Sequence, residues 1–285
     1  MTTIGIIGAG TMGTGIALSS ALAGFTVIVY DLSDDYLQRS RKNISTQLDR
    51  SIVRGKLTSA EAELATGRLT TTTAISALAP CDLIIEAAVE KLDIKQQLFA
   101  QLGELCGPKC ILASNTSSLA ITAIASAVPH PERVLGLHFF NPAHIMKLVE
   151  IIRGEATSEA VLREAEAFIR ALGKTPVLAK DTPGFIVNRV ARNFYGEAFR
   201  MLSDGLATHE QIDRIMKANG FAMGPFELMD LIGIDVNLAV TQSVYDQYFH
   251  EARFRPHLLQ QKMVEAGRLG KKSGRGFYDH TVSKA

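Results

Sequence analysis

The sequence predicts an α/β protein in two parts, a parallel-sheet domain over residues 1–184 and an all-helical domain over residues 185–285. Three observations carry that prediction. Short β-branched runs alternate with helical patterns through the first two-thirds of the chain, the signature of βαβ units. A glycine-rich turn joins the first strand pattern to the first helical pattern. After Thr182-Pro183-Gly184 the strand patterns stop, and amphipathic or wholly apolar helical patterns take over.

The elements follow in order. Strands are predicted at Ile4–Ile7, Thr26–Tyr30, Leu83–Glu86, Ile111–Ala113, Val134–Leu137, Leu148–Ile152 and Pro176–Ala179. The first leads into Gly8-Ala9-Gly10-Thr11-Met12-Gly13, a G-x-G-x-x-G turn opening a helix that runs to about Ala23, where Gly24 stops it. In that setting the glycines Gly8, Gly10 and Gly13 supply a tight turn, close approach of a pyrophosphate to the backbone and close helix–strand packing. Thr11 and Met12 open the helix whose N-terminus would face the phosphates. The second strand ends at Asp31, about 20 residues on, where a carboxylate can accept from both adenine-ribose hydroxyls. The first domain therefore reads as a Rossmann-type dinucleotide-binding domain. Asp31 would repel a 2′-phosphate and no basic residue immediately follows it, so NAD is expected over NADP.

Tyr36–Lys56 reads as a long helix with Leu37, Ile44, Leu48 and Ile52 on one face and Arg39, Arg41, Lys42, Arg50, Arg54 and Lys56 along it. Thr58-x-x-Glu61 reads as the capping box of a second helix, giving a helical hairpin inserted after the second strand. Lys95–Leu105 and Glu159–Leu172 are further helical patterns. In the second domain Phe185–Leu202, Gln211–Lys217 and Val236–Tyr248 read as helices, punctuated by Gly205, Gly220, Gly224-Pro225 and Gly233. Several look apolar on more than one face, and a homodimer through this domain is expected.

Bulk properties narrow the partners. Hydrophobic residues make up 47% of the 285 and charged residues 21%, enough to bury a core. A net charge of +1 argues against an extended nucleic-acid surface or an anionic membrane. No apolar run reaches the roughly 18–20 residues that span a bilayer. The first residues show no basic leader, and Cys81, Cys106 and Cys110 form no even disulfide set, so a cytoplasmic protein with reduced thiols is expected. Cys106 and Cys110 lack a third ligand at a usual zinc spacing, and no metal is expected.

"HFFNPAHIMKLVE", residues 138–150, opens with His138 and closes with Glu150 around a mostly apolar run. A histidine is the natural base for the proton of an alcohol being oxidised, and a carboxylate on its other ring nitrogen fixes the tautomer. Twelve positions are too many for one helix face, so a strand, the Asn141-Pro142 turn and a returning strand would have to join them.

Taken together, "GIIGAGTMGTGIA", "EAAVEKLDIKQQLF", "SNTSSL", "GLHFFNPAHIMKLVEI", "DTPGFIVNR" and "GKKSGRGFYDH" resemble the L-3-hydroxyacyl-CoA dehydrogenases, and most of all the short bacterial 3-hydroxybutyryl-CoA dehydrogenases. The segments occur in that family's order and span the chain nearly end to end. The resemblance implies NAD-dependent interconversion of a 3-hydroxyacyl-CoA and a 3-oxoacyl-CoA. It implies that His138 is the general base, Glu150 its orienting carboxylate, Ser117 the residue bonding the substrate oxygen and Asn188 a neighbour of the reacting acyl group. It also implies cofactor contacts at Glu90, Lys95, Asn115, Ser117, Asn141 and Lys272. Coenzyme A contacts are implied on the inserted helix, where Gln47 departs from the family's usual residues and Arg54 or Lys56 can still reach a phosphate. Two alternatives stay open: a dehydrogenase of a non-CoA hydroxy acid or sugar acid, and a catalytically silent NAD-binding relative. A dehydrogenase with a catalytic lysine is disfavoured, because "GFIVNR" stands where that lysine belongs.

Overall fold

A computed structural model describes residues 2–281; residues 282–285 of the helical part lie outside the described residues. The chain forms two compact units, Met1–Thr182 and Pro183–Ala285.

The first unit runs β1 (Thr3–Ile7), α1 (Thr11–Leu22), β2 (Thr26–Tyr30), α2 (Asp34–Val53), α3 (Ser59–Gly67), β3 (Leu69–Thr72), β4 (Leu83–Glu86), α4 (Leu92–Leu105), β5 (Ile111–Ser114), α5 (Ile121–Ala125), β6 (Val134–Phe139), β7 (Leu148–Arg153), α6 (Glu159–Ala171) and β8 (Thr175–Lys180). Eight strands form one sheet in the order β3-β2-β1-β4-β5-β6-β7-β8. The central strands β4, β5 and β6 are buried at every position, which is why they read as unbroken apolar runs rather than alternating ones.

Two sheet features differ from the sequence prediction. The sheet is mixed rather than parallel: β7 runs antiparallel to β6, and β8 lies parallel to β7. The link from β6 to β7 is a short loop, too short for a crossover helix, so the chain can only turn back. The strand β3, paired parallel with β2, was missed. Its sequence, Leu-Thr-Thr-Thr, is β-branched but polar, and it forms a half-exposed edge.

The inserted hairpin is α2 and α3. Leu37, Ile44 and Leu48 are buried, and Ile44 and Leu48 meet Leu18 of α1 and Ala62 of α3. Thr58 accepts from the Glu61 N–H while the Glu61 carboxylate accepts from the Thr58 N–H, closing the capping box. The long helix ends earlier than predicted: Arg54 is its C-cap, Gly55 turns at φ +65°, and Lys56 lies in the following turn. Both charges are thus presented from a turn rather than a helix face.

The second unit is α7 (Val187–Ser203), α8 (His209–Ala218), α9 (Pro225–Ile232), α10 (Ile234–Gln247) and α11 (Leu258–Glu265), around Tyr195, Phe199, Ile212, Phe226, Met229 and Ile234. The first helix starts two residues later than predicted because Gly184 and Phe185 both take left-handed φ, +75° and +48°. The helices α9 and α11 were not predicted. Gly224-Pro225 breaks what precedes it but also starts α9, since a proline in the first turn has no N–H to leave unpaired. Among the described residues no helix is long and apolar enough to cross a membrane.

Candidate active site

The rim of the first unit at the carboxyl ends of β1, β4, β5 and β6 gathers its polar side chains. His138 on β6 and Glu150 on β7 are register partners in the antiparallel pair, so both side chains leave the same face of the sheet. His138 Nδ1 lies 2.7 Å from a Glu150 carboxylate oxygen, with the two residues 6% and 1% exposed. The twelve-residue gap closes because β6 turns back on itself. The Asn141-Pro142 peptide in that turn is cis, and Asn141 itself is exposed. The Phe140 ring packs beside the imidazole at 4.5 Å between centroids. A carboxylate on Nδ1 favours the tautomer that carries its proton there.

The turn is held from outside by Lys174, which sequence reasoning missed. Its buried ammonium donates to the Ala143 carbonyl at 2.6 Å and the Met146 carbonyl at 2.8 Å. Burial and the Lys147 charge hold the Lys174 ammonium below the ordinary lysine range.

The loop after β5 adjoins the histidine strand. Asn115 Oδ1 accepts from the Phe139 N–H at 2.8 Å, one residue beyond His138. Thr116 Oγ1 donates to Glu90 at 2.6 Å, and the Ser117 N–H donates to the same oxygen at 3.0 Å. Burial works against ionisation of Glu90. The Lys95 charge and the bonds from Thr116 and Ser117 outweigh it and hold the carboxyl below the usual glutamate range. Lys95 is itself 1% exposed and donates to Glu86 at 2.6 Å.

The glycine loop shows three different constraints. Gly8 has φ +96°, and a Cβ there would lie 2.6 Å from the Ala87 carbonyl. A Cβ on Gly13 would lie 1.8 Å from the Gly8 carbonyl, so only glycine lets α1 approach this closely. Gly10 has neither constraint: its φ is −71°, and a Cβ there would meet nothing within 4 Å. The space beside Gly10, at a helix N-terminus that no side chain caps, is what a pyrophosphate would fill. Thr11 and Met12 follow in the first turn of α1. Asp31, at the end of β2, accepts from the Ala9 N–H at 2.8 Å and the Ser33 N–H at 3.1 Å, which sets its carboxylate against this loop. These residues fit a dinucleotide.

Arg54 and Lys56 are exposed in the turn between α2 and α3. In the second unit Asn188 sits half-buried in the first turn of α7, and Lys272 donates to Asp235 at 2.6 Å. Among the described residues no group of three or more His, Cys, Asp or Glu side chains could hold a metal ion.

Comparison with known proteins supplies the family. The model described as "3-hydroxyacyl-CoA dehydrogenase, NAD binding domain" matches residues 3–182, and that described as "3-hydroxyacyl-CoA dehydrogenase, C-terminal domain" matches residues 184–280. The chain belongs to the 3-hydroxyacyl-CoA dehydrogenase family. It is 51% identical to the 3-hydroxyadipyl-CoA dehydrogenase of Escherichia coli over 97% of this chain, and spans 58% of that relative's length. It is 42% identical to the 3-hydroxybutyryl-CoA dehydrogenase of Bradyrhizobium diazoefficiens over 99% of this chain and 96% of the relative. Among solved structures it resembles the (S)-3-hydroxybutyryl-CoA dehydrogenase of Ralstonia eutropha with a TM-score of 0.94 and 42% identity, over 98% of this chain and 99% of that one. The first unit is thus the NAD-binding domain of a 3-hydroxyacyl-CoA dehydrogenase family member, as its glycine loop requires.

Proposed function

We propose that the protein interconverts a (S)-3-hydroxyacyl-CoA, such as 3-hydroxybutyryl-CoA, and the 3-oxoacyl-CoA, with His138 and Glu150 as its acid–base pair. The observation that carries this reading is the buried cross-strand contact of His138 Nδ1 with Glu150 at 2.7 Å, beside Phe139, whose N–H donates to Asn115 in the loop that bears Ser117. A bound NAD would supply the acceptor for the hydride leaving the substrate carbon. His138 Nε2 takes the hydroxyl proton, and Glu150 stabilises the imidazolium that results. Ser117 bonds the substrate oxygen, and Asn188 contacts the acyl group. Gly8, Gly10, Gly13 and the start of α1 seat the pyrophosphate, Asp31 the ribose, and Glu90, Asn115, Asn141 and Lys272 the rest of the cofactor. Arg54 and Lys56 meet the coenzyme A phosphates.

The test is NADH oxidation with acetoacetyl-CoA, run beside free acetoacetate. Turnover of the thioester alone supports the reading; preference for the free acid replaces it with a non-CoA dehydrogenase, and NADH binding without any turnover replaces it with a silent relative. The 51% identity to a protein named for 3-hydroxyadipyl-CoA favours a second acyl group, so 3-oxoadipyl-CoA belongs in the same assay. Two further readings go with this one. The second unit would pair two copies, since Val190, Leu206 and Phe249 are 65%, 71% and 93% exposed, and light scattering would give the mass. Three buried thiols and no disulfide fit a reducing, cytoplasmic setting, which fractionation would check.

A further inference from the structure

The carboxyl end of β4 contains a second buried charged pair that the reaction above does not use. Glu86 is 0% exposed and Lys95 1%, and the Lys95 ammonium lies 2.6 Å from one Glu86 oxygen. That oxygen also accepts from the Ala88 N–H at 2.7 Å, while the other accepts from Ser114 Oγ at 2.7 Å. The Glu86 carbonyl accepts from the Asn115 N–H at 2.7 Å. Glu86 therefore grips both segments on either side of it: the turn after β4 and the start of the loop after β5.

Lys95 extends the grip. Its ammonium also lies 3.4 Å from the other carboxylate, Glu90, whose side chain is 39% exposed. Glu90 in turn takes Thr116 Oγ1 at 2.6 Å and the Ser117 N–H at 3.0 Å, with the hydroxyls of Ser117 and Ser118 each at 3.4 Å. One cation thus stands between two carboxylates, and the outer one collects the loop. Without the cation two carboxylates would share a water-poor site and repel each other.

We propose that Glu86 and Lys95 are positioning residues: they fix Glu90, and through Glu90 they hold Ser117 where it meets the substrate oxygen. Lys95 then acts on Ser117 through Glu90. The catalytic part of this inference rests on the function proposed above; the positioning part does not.

The experiment compares the full chain with Glu86→Gln and Lys95→Met. Amide hydrogen exchange is followed over residues 114–119 and over residues 3–13, and NADH affinity is measured by fluorescence titration. Loss of the grip should speed exchange in 114–119 by about tenfold in both variants and leave 3–13 unchanged. The NADH Kd should rise less than kcat falls, because the glycine loop and Asp31 are intact while only Glu90 and the 114–119 loop shift. With acetoacetyl-CoA, kcat should fall by about 10–100-fold, the scale for a misplaced positioning group. Unchanged exchange in 114–119 overturns the proposal, as does a rise in NADH Kd as large as the fall in kcat. Faster exchange spread over the whole sheet in both variants, of which Glu86→Gln is nearly isosteric, also overturns it, making the pair a general core element. If the unmodified protein turns over no acyl-CoA, the functional reading fails while exchange and NADH affinity still decide the positioning.

Discussion

Both units bury polar groups, and they use them differently. In the first, Glu86, Ser114, Thr116, His138 and Glu150 lie at or beside one rim of the sheet, and each contacts another side chain. In the second, the buried acids are bound mainly to backbone. Asp230, 1% exposed, accepts from the Phe277 and Tyr278 N–H groups and meets His280 Nε2 at 2.9 Å. Asp213, also 1% exposed, accepts from the Phe226 and Glu227 N–H groups and from the Tyr278 hydroxyl. Burial pushes the Asp213 carboxyl up, against the pull of those bonds. Gly270 and Gly276 pack so closely on Asp230 that a Cβ at either would lie within 2.3 Å of it. A buried acid that pairs with side chains at a strand end is a candidate for the site or its positioning; one wrapped by backbone N–H groups marks construction.

Substitutions can break that contrast. The largest expected effect is at His138. His138→Gln should lower kcat by roughly 10²–10⁴-fold while NADH binding and the fold persist, because an acid–base group is lost and little packing volume changes. Steady-state assays beside a NADH titration measure both, and near-normal kcat would remove His138 as the base. Asp230→Ala should do the reverse. It leaves two half-buried N–H donors and His280 without their acceptor, a loss of about 3 kcal/mol at ~1–3 kcal/mol per orphaned group, towards the low end for groups that water can reach. Urea unfolding should show that loss, and the fraction still folded should keep near-normal kcat. If Asp230→Ala instead lowers kcat without loss of stability, the second unit's acids are not merely structural.

The contrast also explains what could be read from the sequence. Strands of the first unit were legible because burial on both faces writes them as continuous apolar runs; β2 and β4 begin and end at the predicted residues. The direction of β7 was not, since an apolar run such as Leu148–Ile152 carries no sign of orientation. The role proposed for His138 rests on its chemistry plus family resemblance. The roles of Glu86 and Lys174 were not legible, because a single charged residue ending an apolar run says nothing about which distant backbone it will meet. "GKKSGRGFYDH" was visible as a motif, but only the close packing of its glycines on Asp230 shows why it is glycine-rich.

A finer comparison lies inside the glycine loop, where one substitution made twice should separate binding from folding. Gly10→Ala meets open space and an ordinary φ, so thermal stability should hold while NADH Kd rises by at least about tenfold, or ~1.4 kcal/mol. Gly13→Ala would drive a Cβ to 1.8 Å from the Gly8 carbonyl, so the fold itself should suffer, with a lower Tm before any ligand is added. If both variants lose NADH affinity and neither loses stability, Gly13 belongs with the ligand and not with the packing of α1.

The smallest expected effect concerns charges that the first unit does not bury at all. Arg54 and Lys56 are exposed in the α2–α3 turn, with Gly55 between them in a left-handed conformation. A cation so placed does little for stability, because water and salt screen it. It remains available to a phosphate, and coenzyme A carries several. Replacing both with Gln should leave Tm and NADH KM nearly unchanged and raise KM for acetoacetyl-CoA several-fold, on the order of 1 kcal/mol for exposed contacts, with the difference shrinking as salt is added. The acetoacetyl thioester of pantetheine lacks the nucleotide phosphates and should respond little. If the double variant loses the same factor on the truncated and the full thioester, these charges do not read coenzyme A, and the inserted hairpin presents only a solvated basic surface.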